Sequence, residues 1–227
     1  MKKEKLDILY EDKSLIIVNK KSGILTIAND KEKEKTLYHE VHEYLWRKNK
    51  NNKVFIIHRL DKDTSGLLLV AKNDDVHVLL SEELKLRKVN RKYLALVYGV
   101  INNDTGTIDA PIGRSLFDRK KMAVTSENSK DAITHIRVLD RYKDSTLIRC
   151  KLETGRTHQI RVHLNYIGHP VVNDPVYGYK KLIDKDFGQM LHAEKIGFVH
   201  PTTKEYMEFT APLPYRFKEI LEIYKAK

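Results

Sequence analysis

His58-Arg59-Leu60-Asp61-Lys62-Asp63-Thr64-Ser65-Gly66-Leu67-Leu68-Leu69-Val70-Ala71-Lys72 sets a carboxylate among basic side chains on a Thr-Ser-Gly turn that feeds a wholly apolar run. Reactive groups are often carried this way, on a loop pinned by a rigid strand. Taken alone, the same residues also fit a polar turn in front of a buried strand. A second dense patch lies far downstream, Gly155-Arg156-Thr157-His158-Gln159-Ile160-Arg161-Val162-His163. It is equally rich in groups able to reach a carboxylate.

The chain has 227 residues, enough for one large domain or two small ones that share a core. Its hydrophobic content of 41% suits a folded globule. No apolar run has the length a bilayer demands, so no membrane partner is expected. Met1-Lys2-Lys3-Glu4-Lys5 is charged and lacks the apolar segment of a secretory signal. Cys150 is the only cysteine, which rules out a disulfide within the chain and points to a reducing, cytoplasmic setting. It lies in the strand-like alternation Leu147–Leu152 and reads as a buried structural thiol.

Lys and Arg number 42 against 31 acidic residues, a formal net charge of +11. That surplus favours polyanions and binding that weakens with salt. The runs Lys31–Lys35 and Lys48–Lys53 mix lysine with acidic or amide residues and read as solvated loops rather than a dedicated RNA arm. The chain contains neither a G-x-x-x-x-G-K phosphate loop nor a G-x-G-x-x-G fingerprint. His39 and His42 are three apart and His158 and His163 five apart, so neither pair has the i, i+4 spacing of a helical zinc site. No metal is expected.

Along the chain, Leu6–Tyr10 and Leu15–Lys20 read as strands joined by a polar turn. A helix is expected from about Thr36, which can cap it, with Leu37, Val41 and Leu45 stepping by four. Phe55-Ile56-Ile57 leads into the Asp61 turn, and Leu67–Val70 reads as a buried strand. Asp74–Lys88 reads as a helix with Val78 and Leu79 near its middle. Lys92–Arg149 is mostly strands and turns, broken at Asn102–Gly106. A short helix carries Arg161 and sets Ile160, Leu164 and Ile167 on one face. Met207–Thr210 alternates, and Tyr215–Tyr224 closes with a helix able to dock Phe217, Ile220, Leu221 and Tyr224. Few helices among many strands, without a repeated βαβ unit, predict an α+β fold on a mostly antiparallel sheet.

The two patches resemble the signatures HRLDxxTSGLLLxAK and GRTHQIRxH of the RluA-type family of RNA pseudouridine synthases. The likeness continues through Arg91-Lys92-Tyr93-Leu94-Ala95-Leu96-Val97-Tyr98-Gly99, Gly168-His169-Pro170, Leu191-His192-Ala193 and Phe198-Val199-His200-Pro201, from about Asp12 to Pro214. It implies the pseudouridine synthase fold: a curved mixed sheet with flanking helices, and two half-domains around a basic cleft. It also implies one catalytic domain over residues 1–227 with no room for an S4 RNA-binding module. The reaction detaches uracil from ribose, turns the base over and rejoins it through carbon, and it requires no cofactor. The substrate would be a ribosomal or transfer RNA stem-loop, served by a monomer with no obligate protein partner.

By the same resemblance Asp61 is the catalytic carboxylate, acting as nucleophile or base and ionised in either role. Asp63 is its rival within the loop, at a variable and solvated position. Arg161 is the basic partner of Asp61, and Tyr93 stacks on the base or assists proton transfer. Arg59 fills the gap left by the flipped base or contacts phosphate. Arg156, Thr157, His158 and Gln159 hold the loop or touch phosphates, and Leu191 lends apolar surface. Two departures stand out. The usual Asn-Lys-Pro-x-Gly is Asn19-Lys20-Lys21-Ser22-Gly23, and the usual Gly-Asp-x-x-Tyr-Gly is Asn173-Asp174-Pro175-Val176-Tyr177-Gly178. Asn tolerates left-handed backbone, so the second turn is expected to survive. Two other readings compete. One is a non-catalytic RNA-binding or ribosome-assembly protein on the same fold. The other is a metal-dependent hydrolase, which lacks an obvious second acidic ligand beyond Asp63.

Overall fold

Asp12 opens the fold by folding its carboxylate back onto the chain, accepting from Ser14 N (2.7 Å) and Leu15 N (2.8 Å). The turn it makes joins β1 (Ile8–Glu11) to β2 (Leu15–Lys20), which pair antiparallel with Ile8 opposite Val18. The computed structural model describes residues 6–29, 36–179 and 182–226. The Met1–Lys5 start and the Lys31–Lys35 run lie outside the described residues. Helix α1 (Leu37–Lys48) begins where Thr36 accepts from His39 N, and it buries Leu37, Val41 and Leu45, as their spacing predicts. Then come β3 (Phe55–Ile56), β4 (Ser65–Ala71) and α2 (Asp74–Lys85). Asn73 caps α2, and Arg87, at φ 61°, turns left-handed just beyond its end, so the helix stops short of Lys88. Its inward residues are Val76 and Leu80, whereas Val78 and Leu79 face water.

The later elements are β5 (Asn90–Tyr98), β6 (Thr105–Asp109), β7 (Ile112–Arg114), β8 (Met122–Val124), β9 (Ile133–Arg141), β10 (Ser145–Leu152), α3 (Gln159–Tyr166), β11 (Leu191–Val199), β12 (Tyr206–Thr210) and α4 (Tyr215–Lys225). Few helices among many strands make the chain α+β. Among the described residues no helix is long and apolar enough to cross a membrane.

Two compact units divide the chain. The first holds the described residues up to Asn90 together with Glu194–Pro212. In it β4 is flanked by β2 and β3, both antiparallel, with Lys20 opposite Gly66 and Ile56 opposite Val70. A strand paired on both edges and covered on both faces carries no polar side, which is why Leu67–Ala71 reads as an unbroken apolar run. Leu15, Ile17, Leu67, Leu69, Val76, Leu80, Ile196 and Phe198 share one core. The last two come from β11, whose Lys195–Val199 segment pairs with β12.

The second unit holds Arg91–Ala193 and Leu213 onward. Its strands run β5-β10-β9-β6, all antiparallel, with Tyr93 opposite Cys150. β7 and β8 form a separate ribbon that packs Ile112, Met122 and Val124 with Val162 of α3. Helix α4 buries Phe217, Ile220, Leu221 and Tyr224, as expected. Cys150 is fully buried, and that burial pushes its thiol up to about 12, so it is structural.

Leu69 has no exposed surface at the centre of β4. Leu69→Ala is expected to cost about 2–5 kcal/mol in urea unfolding. A loss under about 1 kcal/mol would show that the first unit is not packed as described.

Candidate active site

In the first unit the Asp61 loop is built by main-chain clamps. Lys20, which ends β2 with 1% of its surface exposed, turns its ammonium under the loop. Nζ donates to Lys62 O (2.7 Å), Ile24 O (2.8 Å) and Lys21 O (2.9 Å). Three acceptors match the three N–H bonds of a charged lysine. Burial pulls this amine down to about 7, while the nearby carboxylates of Asp63 and Asp61 oppose the fall. Thr26 adds a second clamp: its Oγ1 donates to Leu60 O (2.8 Å) and accepts from Leu60 N (3.2 Å). Ser22 Oγ donates to Asp63 O (2.8 Å), and Gly23 N to Lys62 O (3.1 Å). Thr64 N closes the turn on Asp61 O (3.1 Å). Held this way, Arg59 is exposed and Asp61 half-buried. Asp63, read from sequence as solvated, is half-buried as well.

In the second unit α3 delivers Arg161 inward, where only 4% of it is exposed. Its Nε and Nη2 donate to Asp174 Oδ2 (2.7 Å) and Oδ1 (2.8 Å), a bidentate pair that fixes the guanidinium plane. Asp174 Oδ1 also accepts from Val176 N (2.8 Å) and Tyr177 N (3.0 Å). Those bonds fold residues 174–178 so tightly that a Cβ at Gly178 would lie 2.6 Å from Asp174 O. The turn sets the Tyr177 ring 5.1 Å from the Arg161 guanidinium carbon. The Tyr177 hydroxyl accepts from Met122 N (3.0 Å) and is hydrogen-bonded to His158 Nδ1 (2.8 Å). His158 itself is left-handed, φ 57°, at the start of α3. Burial pushes the Asp174 carboxyl up, but the hydrogen bond and charge of Arg161 outweigh it and hold the group below its usual range.

Gln159 is buried, and its carboxamide braces the loop. Oε1 accepts from Thr154 Oγ1 (2.7 Å) and Arg156 N (2.9 Å), while Nε2 donates to Ile133 O and Thr134 Oγ1 (both 3.0 Å). Arg156 Nε donates to Asp131 O (2.8 Å), and Thr157 is exposed. Gly155 leaves room for the buried Arg91, whose Nη1 would lie 2.9 Å from a Cβ there. Tyr93 and Leu191 are 5% and 4% exposed, so only an edge of either is presented to solvent.

The structure therefore gathers Tyr93, Arg156, Thr157, His158, Gln159, Arg161 and Leu191 in the second unit and places Arg59 and Asp61 in the first. Sequence reasoning missed Lys20, Asp174 and Tyr177. All three lie within the two motifs that depart from the family pattern, and a lysine closing an otherwise apolar strand is the available signal for the first. It also missed the tip between β7 and β8. There Ser115 Oγ accepts from Phe117 N and Asp118 N, and Lys121 N donates to Asp118 O, shaping a turn. That turn holds Phe117 wholly in solvent and Leu116 at 63% exposure, among Arg114, Arg119, Lys120 and Lys121. Among the described residues no group of His, Cys, Asp and Glu is arranged to hold a metal.

Known proteins carry the same pattern. The family described as RNA pseudouridylate synthase matches residues 14–166. The chain is 50% identical over 220 residues to YlyB of Bacillus subtilis (strain 168), named an uncharacterized RNA pseudouridine synthase, covering 96% of this chain and 72% of that one. It is 41% identical over 230 residues to ribosomal large subunit pseudouridine synthase D of Pseudomonas aeruginosa, covering 96% and 71%. The solved structure of human RNA pseudouridylate synthase domain containing 1 superposes with a TM-score of 0.76 at 28% identity, covering 98% and 95%. The chain belongs to the RluA-type family of RNA pseudouridine synthases and has their fold. It is an isomerase.

Because its folded value is depressed, Asp174 contributes stability above the unfolded value near 4 and loses it as pH falls through the folded one. Asp174→Asn removes the charge that the buried Arg161 grips with two bonds and is expected to cost about 3–5 kcal/mol at pH 7. The deficit should shrink as the parent is acidified below pH 4. Urea unfolding at pH 7 and pH 3 checks both points, and parental stability at pH 7 would contradict them.

Proposed function

We propose that this chain isomerises one or more uridines of ribosomal RNA to pseudouridine, with Asp61 as the essential carboxylate. The observation that carries this reading is the loop built around Asp61, in which Lys20, Thr26 and Ser22 are all spent on holding main chain. So much anchoring around one half-buried acid is expected of a group that must meet its target within a fraction of an ångström. Two relatives of 41–42% identity, named ribosomal large subunit synthases, support ribosomal RNA as the substrate. A transfer RNA stem-loop is the other substrate the same chemistry would serve.

In the reaction the bond from ribose C1′ to N1 of uracil breaks and one to C5 forms. The C5 proton is lost and N1 gains one, so no electrons or groups are left to supply, and no cofactor is invoked. Asp61 serves as nucleophile or base. Arg161 orients and balances that carboxylate, its own plane set by Asp174. Tyr93 stacks on the base or assists the proton transfer at C5, and Leu191 lends apolar surface beside it. A uridine must leave its stack to react, at a cost of a few kcal/mol. Arg59, exposed two residues before Asp61, fills the vacated place. Arg156, Thr157 and His158 meet phosphates, and Gln159 keeps that loop in shape. Phe117, presented in solvent among basic residues, stacks on an unpaired base. The chain acts as a cytoplasmic monomer.

Asp61→Asn is expected to abolish release of tritium from RNA labelled at uridine C5, with RNA affinity within about threefold of the parent. Full turnover in that variant would remove Asp61 from the reaction. Phe117→Ala should weaken RNA affinity by about 1–3 kcal/mol while leaving turnover of saturating RNA near the parental rate. Unchanged affinity would take the tip out of the RNA interface.

A further inference from the structure

Asn173 stands where the family pattern has glycine, and it does more than tolerate the backbone required there. Its φ is 61° and its side chain is buried. Oδ1 accepts from Ile183 N (2.7 Å) and Asp184 N (3.0 Å), while Nδ2 donates to Asp184 O (2.7 Å) and Gly188 O (2.6 Å). The carboxamide thus spends its whole capacity, two donors and two acceptor sites, on one loop. A flipped amide would oppose all four partners, so its orientation is fixed by the bonds themselves.

The loop it grips is braced from behind. Arg216 of α4 donates to Asp184 Oδ2 (2.5 Å), and Phe187 meets Phe217 edge to face at 6.5 Å. On the other side, Val172 N donates to Leu96 O (2.8 Å) and Met190 N to Val172 O (2.9 Å), tying the approach to Asn173 into the strand β5. The residue after Asn173 is Asp174, the bidentate partner of Arg161. Two parallel charge-assisted bonds tolerate little misalignment, so the direction in which the chain leaves residue 173 governs them.

We infer that Asn173 is a positioning residue for the reaction: its left-handed backbone and its four-bond grip on residues 183–188 hold Asp174 in line with Arg161. The inference rests on the reading above that Arg161 serves the reaction. Glycine at this position would adopt the same φ without strain but lose the grip. Alanine would lose both.

The test uses full-length Asn173→Gly, with ribosomal RNA transcribed with C5-tritiated uridine as the probe. Single-turnover tritium release and RNA affinity are measured at a temperature where circular dichroism shows the variant folded. The expected result is a rate about tenfold below the parent with RNA affinity within about twofold. A residue that only stabilises the fold would lower the melting temperature and leave that rate alone, so a rate within about twofold of the parent overturns the inference. Should Asn173→Gly not fold, Asn173→Asp keeps the two acceptor bonds and loses the two donor bonds. A parental rate there overturns the inference, and a loss of the same kind supports it. Arg161→Lys is run alongside. If it turns over at the parental rate, the reading of Arg161 falls and this inference with it. If it is inactive while Asn173→Gly is parental, only this inference falls.

Discussion

Arg161 and Asp174 form an ion pair taken almost wholly out of water, at 4% and 0% side-chain exposure. Removing two charges from solvent is costly, and only good geometry with every remaining donor and acceptor matched makes it tolerable. The second unit can be understood as the set of features that meet this demand. Asp174 accepts from two main-chain amides as well as from the guanidinium. Gly178 lets the turn close against it, Tyr177 covers the guanidinium face, and α3 carries Arg161 inward among its six buried residues, Gln159–Leu164. A pair so constrained cannot relax in small steps. It is either aligned or broken, so the guanidinium keeps one orientation for as long as the pair holds.

The first unit solves a related problem with different chemistry. Here the loop that carries Asp61 is held through its main chain. Its shape comes from side chains bonded to backbone: Lys20 to three carbonyls, Thr26 to both polar groups of Leu60, Ser22 to Asp63. Such bonds hold the path of the chain through residues 60–63. Lys20 also places a cationic group beneath two carboxylates, where burial works against its charge and those acids work for it. The proline usual after this lysine is replaced by Lys21, whose carbonyl is one of the three acceptors.

Much of this was legible in the residues, for identifiable reasons. The helix from Thr36 announced itself through a capping side chain and a period of four, and the closing helix through Phe217, Ile220, Leu221 and Tyr224. Leu67–Val70 reads as buried because nothing polar interrupts it. Asp61, Arg161 and the flanking loops were marked by the density of unlike functional groups. What stayed hidden depended on tertiary partners. A lysine at the end of an apolar strand carries no hint of three carbonyls beneath it, and Asp174 lies 13 residues beyond Arg161, outside any helical or strand spacing. Asn173 was read as a residue able to adopt a left-handed turn, and it does. Its four bonds to residues 183–188 follow from the fold alone. The exposure of Val78 and Leu79 shows the limit from the other side, since apolar character alone did not identify the buried face of α2.

If a fixed carboxylate at position 61 converts uridine to pseudouridine in ribosomal RNA, its loss must erase the modification. The decisive measurement maps pseudouridine across total RNA from cells carrying this chain, lacking it, or carrying Asp61→Asn in its place. At least one ribosomal RNA site is expected with the parent chain and missing in both other cultures. Three identical maps would contradict this, and a missing site confined to transfer RNA would contradict ribosomal RNA as the substrate.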